Sequence, residues 1–208
     1  MARKALLLLW ISFGLAAVPL HAQLAGPLLM DTPRKPVPAL DFEASTPDGK
    51  RVRLKDYRGK VVFLNFWATW CVPCLREMPA MERLSKKMAG RAFTILAVNL
   101  METPAQVRKF LEEIPVTFTI VMDTTGEISE NYGATSLPLT YIIDKKGRVI
   151  HRALGPREWD GKESLALFKK LAADGASETA RRVPTAPGLR GNSAAGLRGI
   201  PAAAGSRR

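Results

Sequence analysis

Two cysteines are the residues of this 208-residue chain best suited to chemistry, and only two residues separate Cys71 from Cys74. They follow a nearly continuous apolar run at residues 61–67, which is typical of a strand covered on both faces. Apolar residues then recur at helical spacing, which predicts a helix from Cys71 toward Gly90, kinked near Pro79. The pair is therefore expected where a strand gives way to a helix.

This position favours redox chemistry at the cysteine pair. At the start of a helix, unpaired backbone N–H groups and the helix dipole favour the thiolate form of Cys71, which is the attacking species. Cys74, one turn further on, is expected to be more buried and to resolve the mixed disulfide that Cys71 forms with a partner. A purely structural bond is disfavoured, because closing so short a loop stabilises a fold very little.

The surrounding sequence predicts the elements that hold this pair. A turn at residues 47–50 lies between two short strands and predicts an N-terminal hairpin. The remaining strands and helices follow in the order β-α-β-α-β-α-β-β-α, with a second hairpin around residues 145–147. This order predicts an α/β fold with a mixed central sheet and helices on both faces.

The ends of the chain differ from its middle. Residues 1–22 read as a secretory signal or an N-terminal anchor, with Arg3 and Lys4 before an apolar stretch, so that residues 5–20 could tether the chain to the inner membrane. We predict a linker at 23–36, a globular domain at 37–173 and a disordered Ala/Gly/Pro/Arg-rich tail at 174–208. The domain is thus expected in the periplasm or otherwise outside the cytoplasm.

The formal net charge of +12 resembles that of a nucleic-acid-binding protein, but its distribution does not. About half of the excess lies in the N-terminal segment and the tail, and the remaining basic residues form no stripe interleaved with aromatic residues. We therefore expect no nucleic-acid partner.

The cysteine motif and its surroundings resemble a known family. The run NFWATWCVPC at residues 65–74, followed by REMP at 76–79, is similar to the TlpA/ResA/CcmG group of extracytoplasmic thioredoxin-like proteins. The hairpin sequence PDGKRVRL and the late segment YGATSLPLTYIID at residues 132–144 match as well. The resemblance covers residues 37–173, and it implies a thioredoxin-like fold with an added N-terminal β-hairpin.

The resemblance assigns roles to further residues. Pro138 matches the cis-proline that faces the cysteine pair, leaving the backbone of Leu137 to bind an extended partner segment. Glu77 matches an acidic residue of the reductase branch that could hold or pass protons for Cys74. Trp70 is expected at the substrate surface beside the sulfurs.

Three further positions qualify this assignment. Asn65 replaces the buried aspartate of ordinary thioredoxins, which makes Glu77 the more attractive proton carrier. Trp67 either shields the sulfurs or packs in the core, and the same alternative applies to Trp70. Leu139 stands where Thr is common after the proline.

The function implied by the resemblance is that of a protein disulfide reductase that needs no cofactor beyond its own Cys71–Cys74 pair. Its substrates would be exported disulfide-containing proteins, with the haem-attachment cysteines of apocytochromes c as family-typical clients. A membrane electron donor of the CcdA/DsbD type would re-reduce the pair. Direct membrane contact is expected only if the N-terminal segment is retained.

Other functions remain open at this stage. Soft thiolates suit Cu(I), so a metallochaperone that adds His151 as a third ligand is the alternative from a different class. An oxidase is the rival within the same chemistry, and a measured redox potential separates it from a reductase. A peroxidase is disfavoured, since that reaction uses one lone attacking cysteine in a Thr-lined pocket.

Overall fold

The computed structural model describes residues 30–174, so the predicted signal segment at 1–22 and the tail beyond residue 174 lie outside the described residues. The described chain forms eight strands and four α-helices around one sheet. The strands are β1 (Val37–Pro38), β2 (Glu43–Ser45), β3 (Arg51–Arg53), β4 (Val61–Trp67), β5 (Phe93–Leu100), β6 (Thr119–Asp123), β7 (Leu139–Ile143) and β8 (Arg148–Leu154). The helices are α1 (Val72–Lys87), α2 (Pro104–Glu113), α3 (Glu127–Asn131) and α4 (Lys162–Ala173), and a 3₁₀ turn occupies Leu54–Tyr57.

The sheet has the strand order β1-β8-β7-β4-β5-β6-β2-β3. Strands β4, β5 and β6 run parallel, whereas β7 pairs with β4, and β8 with β7, in antiparallel fashion. Strands β2 and β3 form the predicted N-terminal hairpin and extend the sheet beyond β6. The predicted α/β class and mixed sheet are confirmed.

Strand β4 lies in the middle of the sheet and has every residue buried. Alternate side chains enter two cores, as the two-residue period of a strand requires. Phe63 and Trp67 pack in the core on the face that holds α1, α2 and α4. Leu64 and Phe66 pack on the opposite face, beneath α3 and the 3₁₀ turn. This double burial explains why the β4 sequence lacks the alternation of a half-exposed strand.

Helix α1 starts directly after the first cysteine and continues through Pro79 to Lys87. Cys71 is its N-cap, and a proline occupies the first turn, where its missing N–H leaves no hydrogen bond unmade. The helix buries the face that carries the predicted apolar repeat, including Met78, Met81 and Leu84. The sheet and this helix together fix the place of the cysteine pair.

The N-terminal arm of the described chain packs along β8. Val37 and Pro38 form β1 along β8, and Asp31 pairs with the backbone of Arg152 through two hydrogen bonds of 2.8 Å. Residue 31, in the last part of the predicted 23–36 linker, therefore lies against the sheet, and β1 follows β8 at this end of the strand order. Within residues 30–174, no helix combines the length and apolar character needed to cross a membrane.

Candidate functional site

The two cysteines form a disulfide at the N-terminus of α1, with an S–S distance of 2.06 Å and a Cα–Cα distance of 5.3 Å. The Cys74 backbone N–H donates to the Cys71 sulfur over 3.3 Å. Cys71 is 5% exposed and Cys74 is 1% exposed, so the predicted order of burial is confirmed. The sulfur of the N-cap residue thus meets a backbone donor, which is the environment that stabilises a thiolate after reduction.

Exposed apolar side chains lie on either side of Cys71 in the sequence. Trp70 is 66% exposed and Val72 is 55% exposed, although both are large hydrophobic residues. Trp70 therefore lies on the surface, whereas Trp67 is wholly buried and packs against Phe110 with ring centroids 5.3 Å apart. Trp67 is thus a core residue in the same buried cluster as Cys71 and Cys74, whereas Trp70 is not part of the core.

A buried carboxylate holds the loop that leads into the cysteine pair. Glu102, 7% exposed, accepts a hydrogen bond from the Thr69 backbone N–H at 2.8 Å and another from the Thr69 hydroxyl. Asn99 donates to the same carboxylate at 2.6 Å. Since Thr69 is two residues before Cys71, these bonds fix the path of the chain into α1.

Glu77 is a buried residue, not a solvated carboxylate on the helix surface. It is 2% exposed, and its carboxyl group accepts three hydrogen bonds, one from β4 and two from the segment that follows β8. Asn65 Nδ2 donates to Oε1 at 2.9 Å, while Oε2 accepts from Trp159 Nε1 at 2.8 Å and from the Arg157 backbone N–H at 3.2 Å. Asn65 also donates to the Thr140 hydroxyl at 3.0 Å.

The environment changes the acidity of this carboxyl group. Burial raises the pKa of Glu77 from its ordinary 4.5 to about 7, against the hydrogen bonds from Trp159, Asn65 and Arg157, which lower it. Because Glu77 follows Cys74 by three residues in a helix, the two side chains lie on neighbouring positions of one face. A carboxyl group that titrates near neutral pH can both accept and return a proton there.

The predicted cis-proline site lies at the same end of the sheet. The Leu137–Pro138 peptide bond is cis, and Leu139, the next residue, pairs with Phe66 near the end of β4. Pro138 is therefore at the end of the sheet from which the chain passes into the cysteine pair. Leu137 is partly buried and packs against both cores.

The third ligand of the copper alternative is engaged elsewhere. His151 lies in β8, its Nδ1 is 2.8 Å from the Thr32 hydroxyl, and burial lowers its pKa. Among residues 30–174, no group of three or more His, Cys, Asp or Glu side chains is arranged to hold a metal ion. His151 therefore does not join Cys71 and Cys74 in a three-ligand site.

Five residues of this site were not found by sequence reasoning: Asn99, Glu102, Thr140, Arg157 and Trp159. Trp159 is wholly buried, and the ring centroids of Trp159 and Phe63 are 4.7 Å apart. A tryptophan among polar residues in the segment 155–161 was a usable signal, because such a residue needs a hydrophobic site and a partner for its N–H. Glu102 gave no comparable signal, since it looks like any acidic residue before a helix.

Comparison with known proteins places the chain in a family. A model of the AhpC/TSA family matches residues 35–152. The thiol-disulfide oxidoreductase ResA of Bacillus thuringiensis subsp. konkukian is 39% identical over 132 residues, which are 64% of this chain and 75% of that protein.

Solved structures agree with this assignment. A thiol:disulfide interchange protein of the thioredoxin family from Chlorobium tepidum superimposes with a TM-score of 0.58 at 28% identity, covering 67% of this chain and 99% of that one. The exposed lipoprotein thioredoxin Etrx1 of Streptococcus pneumoniae gives a TM-score of 0.56 at 31% identity, covering 64% of this chain and all of that one. With a thioredoxin-like fold and a disulfide at the start of α1, the chain belongs to the AhpC/TSA family and, within it, to the thiol–disulfide oxidoreductases of the TlpA/ResA/CcmG type.

Proposed function

We propose that this oxidoreductase acts as a reductase of disulfides in exported proteins. The observation that carries the proposal is the pairing of a disulfide at the N-terminus of α1 with the buried Glu77, whose pKa is raised to about 7. An acid–base group poised near neutral pH suits a reaction in which the second thiol must lose its proton during each turnover. The exposed Trp70 and Val72 offer a partner an apolar surface beside the pair.

The reaction starts from the reduced pair. The Cys71 thiolate attacks one sulfur of a client disulfide, which forms a mixed disulfide and releases the other client sulfur as a thiolate. The Cys74 thiol gives its proton to the Glu77 carboxylate, and the resulting thiolate attacks the Cys71 sulfur. This step releases the second client thiolate and leaves the Cys71–Cys74 disulfide, so two electrons have passed to the client. The departing client thiolates take up protons, one of them returned by Glu77.

A dithiol donor must then reduce the Cys71–Cys74 disulfide so that the enzyme can act again. In the membrane setting this donor would be a protein of the CcdA/DsbD type, and no bound cofactor is needed for either half of the cycle. Family similarity makes apocytochrome c haem-attachment cysteines the first clients to test.

The extracytoplasmic location belongs to the same proposal. It is supported by the signal-like sequence at residues 1–22 and by the surface exposure stated in the name of the pneumococcal relative.

The redox potential of the pair tests the direction of the reaction. The full chain is equilibrated with thiol buffers of known potential, and its free thiols are then alkylated. The mass of the protein gives the fraction in which Cys71 and Cys74 are oxidised. A reductase gives a value close to that of thioredoxin, about −270 mV, whereas a value near that of DsbA, about −120 mV, contradicts the proposal.

Clients are identified by trapping in the native envelope. A Cys74→Ser variant keeps the attacking sulfur and lacks the resolving one, so clients should stay bound as mixed disulfides that dissociate on reduction. A Cys71→Ser variant is the matched control, because it keeps one cysteine of the same motif but not the attacking one. Equal trapping by both variants would argue against the assigned attacker.

A further inference from the structure

Trp159 contacts the proposed proton carrier from a distant part of the chain. Its indole nitrogen lies 2.8 Å from Glu77 Oε2, and 82 residues separate the two positions. The other donor to the same oxygen, the Arg157 backbone N–H, is more distant at 3.2 Å. Trp159 therefore makes the shorter of the two hydrogen bonds to Oε2.

Two neighbouring side chains pack against the indole ring. Phe63 of β4 packs against it edge-on, with ring centroids 4.7 Å apart and an interplanar angle of 88°. The Arg157 guanidinium carbon lies 5.8 Å from the centre of the Trp159 ring, and Arg157 Nη1 also donates to the carbonyls of Leu154 and Gly155. Because Trp159 is wholly buried between these groups, packing sets the direction of its indole N–H.

The same segment connects Glu77 to the cis-proline. Gly155 donates its backbone N–H to the Pro138 carbonyl at 2.9 Å, and four residues later Trp159 reaches Glu77. The segment 155–159 thus contacts both the proposed client-binding proline and the proposed proton carrier.

We propose that Trp159 is a positioning residue for Glu77, its indole N–H holding Oε2 in place and setting how readily the carboxyl group takes up and returns a proton. The inference rests on the proposed function, in which Glu77 exchanges a proton with Cys74. An N–H donor stabilises a carboxylate more than a carboxylic acid, so it favours the form that is ready to receive the proton.

The other groups around Glu77 have smaller effects or act on the other oxygen. Asn65 from β4 donates to Oε1 and also to the Thr140 hydroxyl of β7, and its bond lowers the carboxyl pKa less than the Trp159 bond does. On its own helix the neighbouring titratable groups are Cys71 and Cys74, which are joined in the disulfide. Among the described residues, Arg157 supplies the charge that acts on Glu77, and it lowers the carboxyl pKa less than the Trp159 bond does.

The test compares two buried tryptophans. Trp159→Phe removes the indole N–H from Glu77 and should raise the Glu77 pKa in the oxidised full chain by about one pH unit, the effect of losing one hydrogen bond to a charged group. Trp67→Phe is the matched control. Trp67 is equally buried, and its Nε1 has no hydrogen-bond partner among the described residues, so its loss should leave the Glu77 titration unchanged.

The readout is the side-chain carboxyl ¹³C resonance of Glu77 followed by NMR from pH 4 to 10. A Glu77 pKa that is unchanged in Trp159→Phe, or raised equally in Trp67→Phe, would overturn the inference. The pH–rate profile of disulfide reduction should move to higher pH in Trp159→Phe only, a change that loss of stability alone would not produce.

A measurement on the unaltered protein covers the case in which Trp159→Phe does not fold. The ¹⁵N indole resonance of Trp159 should titrate with the same midpoint as the Glu77 carboxyl group, while that of Trp67 stays constant. A Trp159 resonance that does not respond across this range contradicts the inference. If instead Trp159 and Glu77 titrate together but Glu77→Gln leaves turnover unaffected at every pH, the proposed function fails and the positioning contact stands.

Discussion

Asn65 Nδ2 bridges Glu77 and Thr140, donating to Glu77 Oε1 at 2.9 Å and to the Thr140 hydroxyl oxygen at 3.0 Å. An amide suits a neighbour that changes protonation state, because rotating it by half a turn exchanges the donor NH₂ for an acceptor oxygen. The Thr140 hydroxyl can follow, since it both donates and accepts. Asn65 can thus serve Glu77 as a carboxylate and as a carboxylic acid.

Asn65→Asp should convert this arrangement into a repulsive one at neutral pH. Two buried carboxyl groups about 3 Å apart cannot both ionise, so they would share one proton. We expect the variant to lose about 3 kcal/mol of stability at pH 8 and to recover most of it at pH 5. Guanidinium unfolding at both pH values measures this, with the exposed Asn131→Asp as control. Equal losses at the two pH values would contradict the shared-proton explanation.

Glu77 should make the oxidised protein less stable as the pH rises. Its folded pKa of about 7 exceeds its ordinary value of 4.5, so the folded state binds the proton more tightly than the unfolded state does. Its contribution to the free energy of unfolding is complete below pH 4.5 and is lost as the pH rises to about 7. The difference amounts to about 3 kcal/mol, and Glu77→Gln should remove this part of the pH dependence.

Glu82→Gln provides the matched control on the same helix, because the pH dependence of Glu82 has the opposite sign. Burial alone would raise the Glu82 pKa, but hydrogen bonds from the Thr117 backbone and Lys86 outweigh it and lower the pKa. Its stabilising contribution is therefore present above the ordinary pKa and is lost as the pH falls below it. Chemical denaturation of both variants between pH 3 and 9 measures the two slopes. If the free energy of unfolding depended on pH in the same way in both variants, burial of Glu77 would not be the cause of the pH dependence.

The sequence predicts those parts of the site that depend on local pattern. The apolar run of β4, the cysteine spacing and the start of α1 all arise within residues 61–87, and the structure places them as expected. The partners of Glu77 and Thr69 could not be predicted, because Trp159 and Glu102 reach them only through the tertiary fold. Strand β1 was missed for another reason. Its two residues are too few to show the alternation of a strand, and Pro38 is tolerated because an edge strand accepts proline where no backbone donor is needed.

Glu102→Gln should loosen the loop before Cys71. Its Oε2 accepts from both the Thr69 N–H and Asn99 Nδ2, so in the variant the amide oxygen takes that place and the NH₂ replaces Oε1, where the Thr69 hydroxyl must turn from donor to acceptor. We expect a loss of about 1 kcal/mol in stability, because hydrogen bonds to a neutral amide are weaker than those to a carboxylate. Slower attack by Cys71 should accompany it, because the loop no longer fixes the start of α1. Unfolding and single-turnover thiol exchange measure the two effects, with the exposed Glu127→Gln as control. Unchanged exchange in a destabilised Glu102→Gln protein would limit Glu102 to a structural role.

The two cysteine variants should behave differently toward the same disulfide. With a small peptide disulfide as substrate, Cys74→Ser should accumulate a mixed disulfide at Cys71, because the resolving thiol is missing. Cys71→Ser should form at least about tenfold less adduct, since the remaining Cys74 is 1% exposed and lies one turn inside α1, away from the N-cap. Intact-mass spectrometry of the quenched reaction counts the adducts, and peptide mapping locates them. Preferential adduct formation at Cys74 would reverse the assigned roles, because the more buried sulfur would then be the attacker.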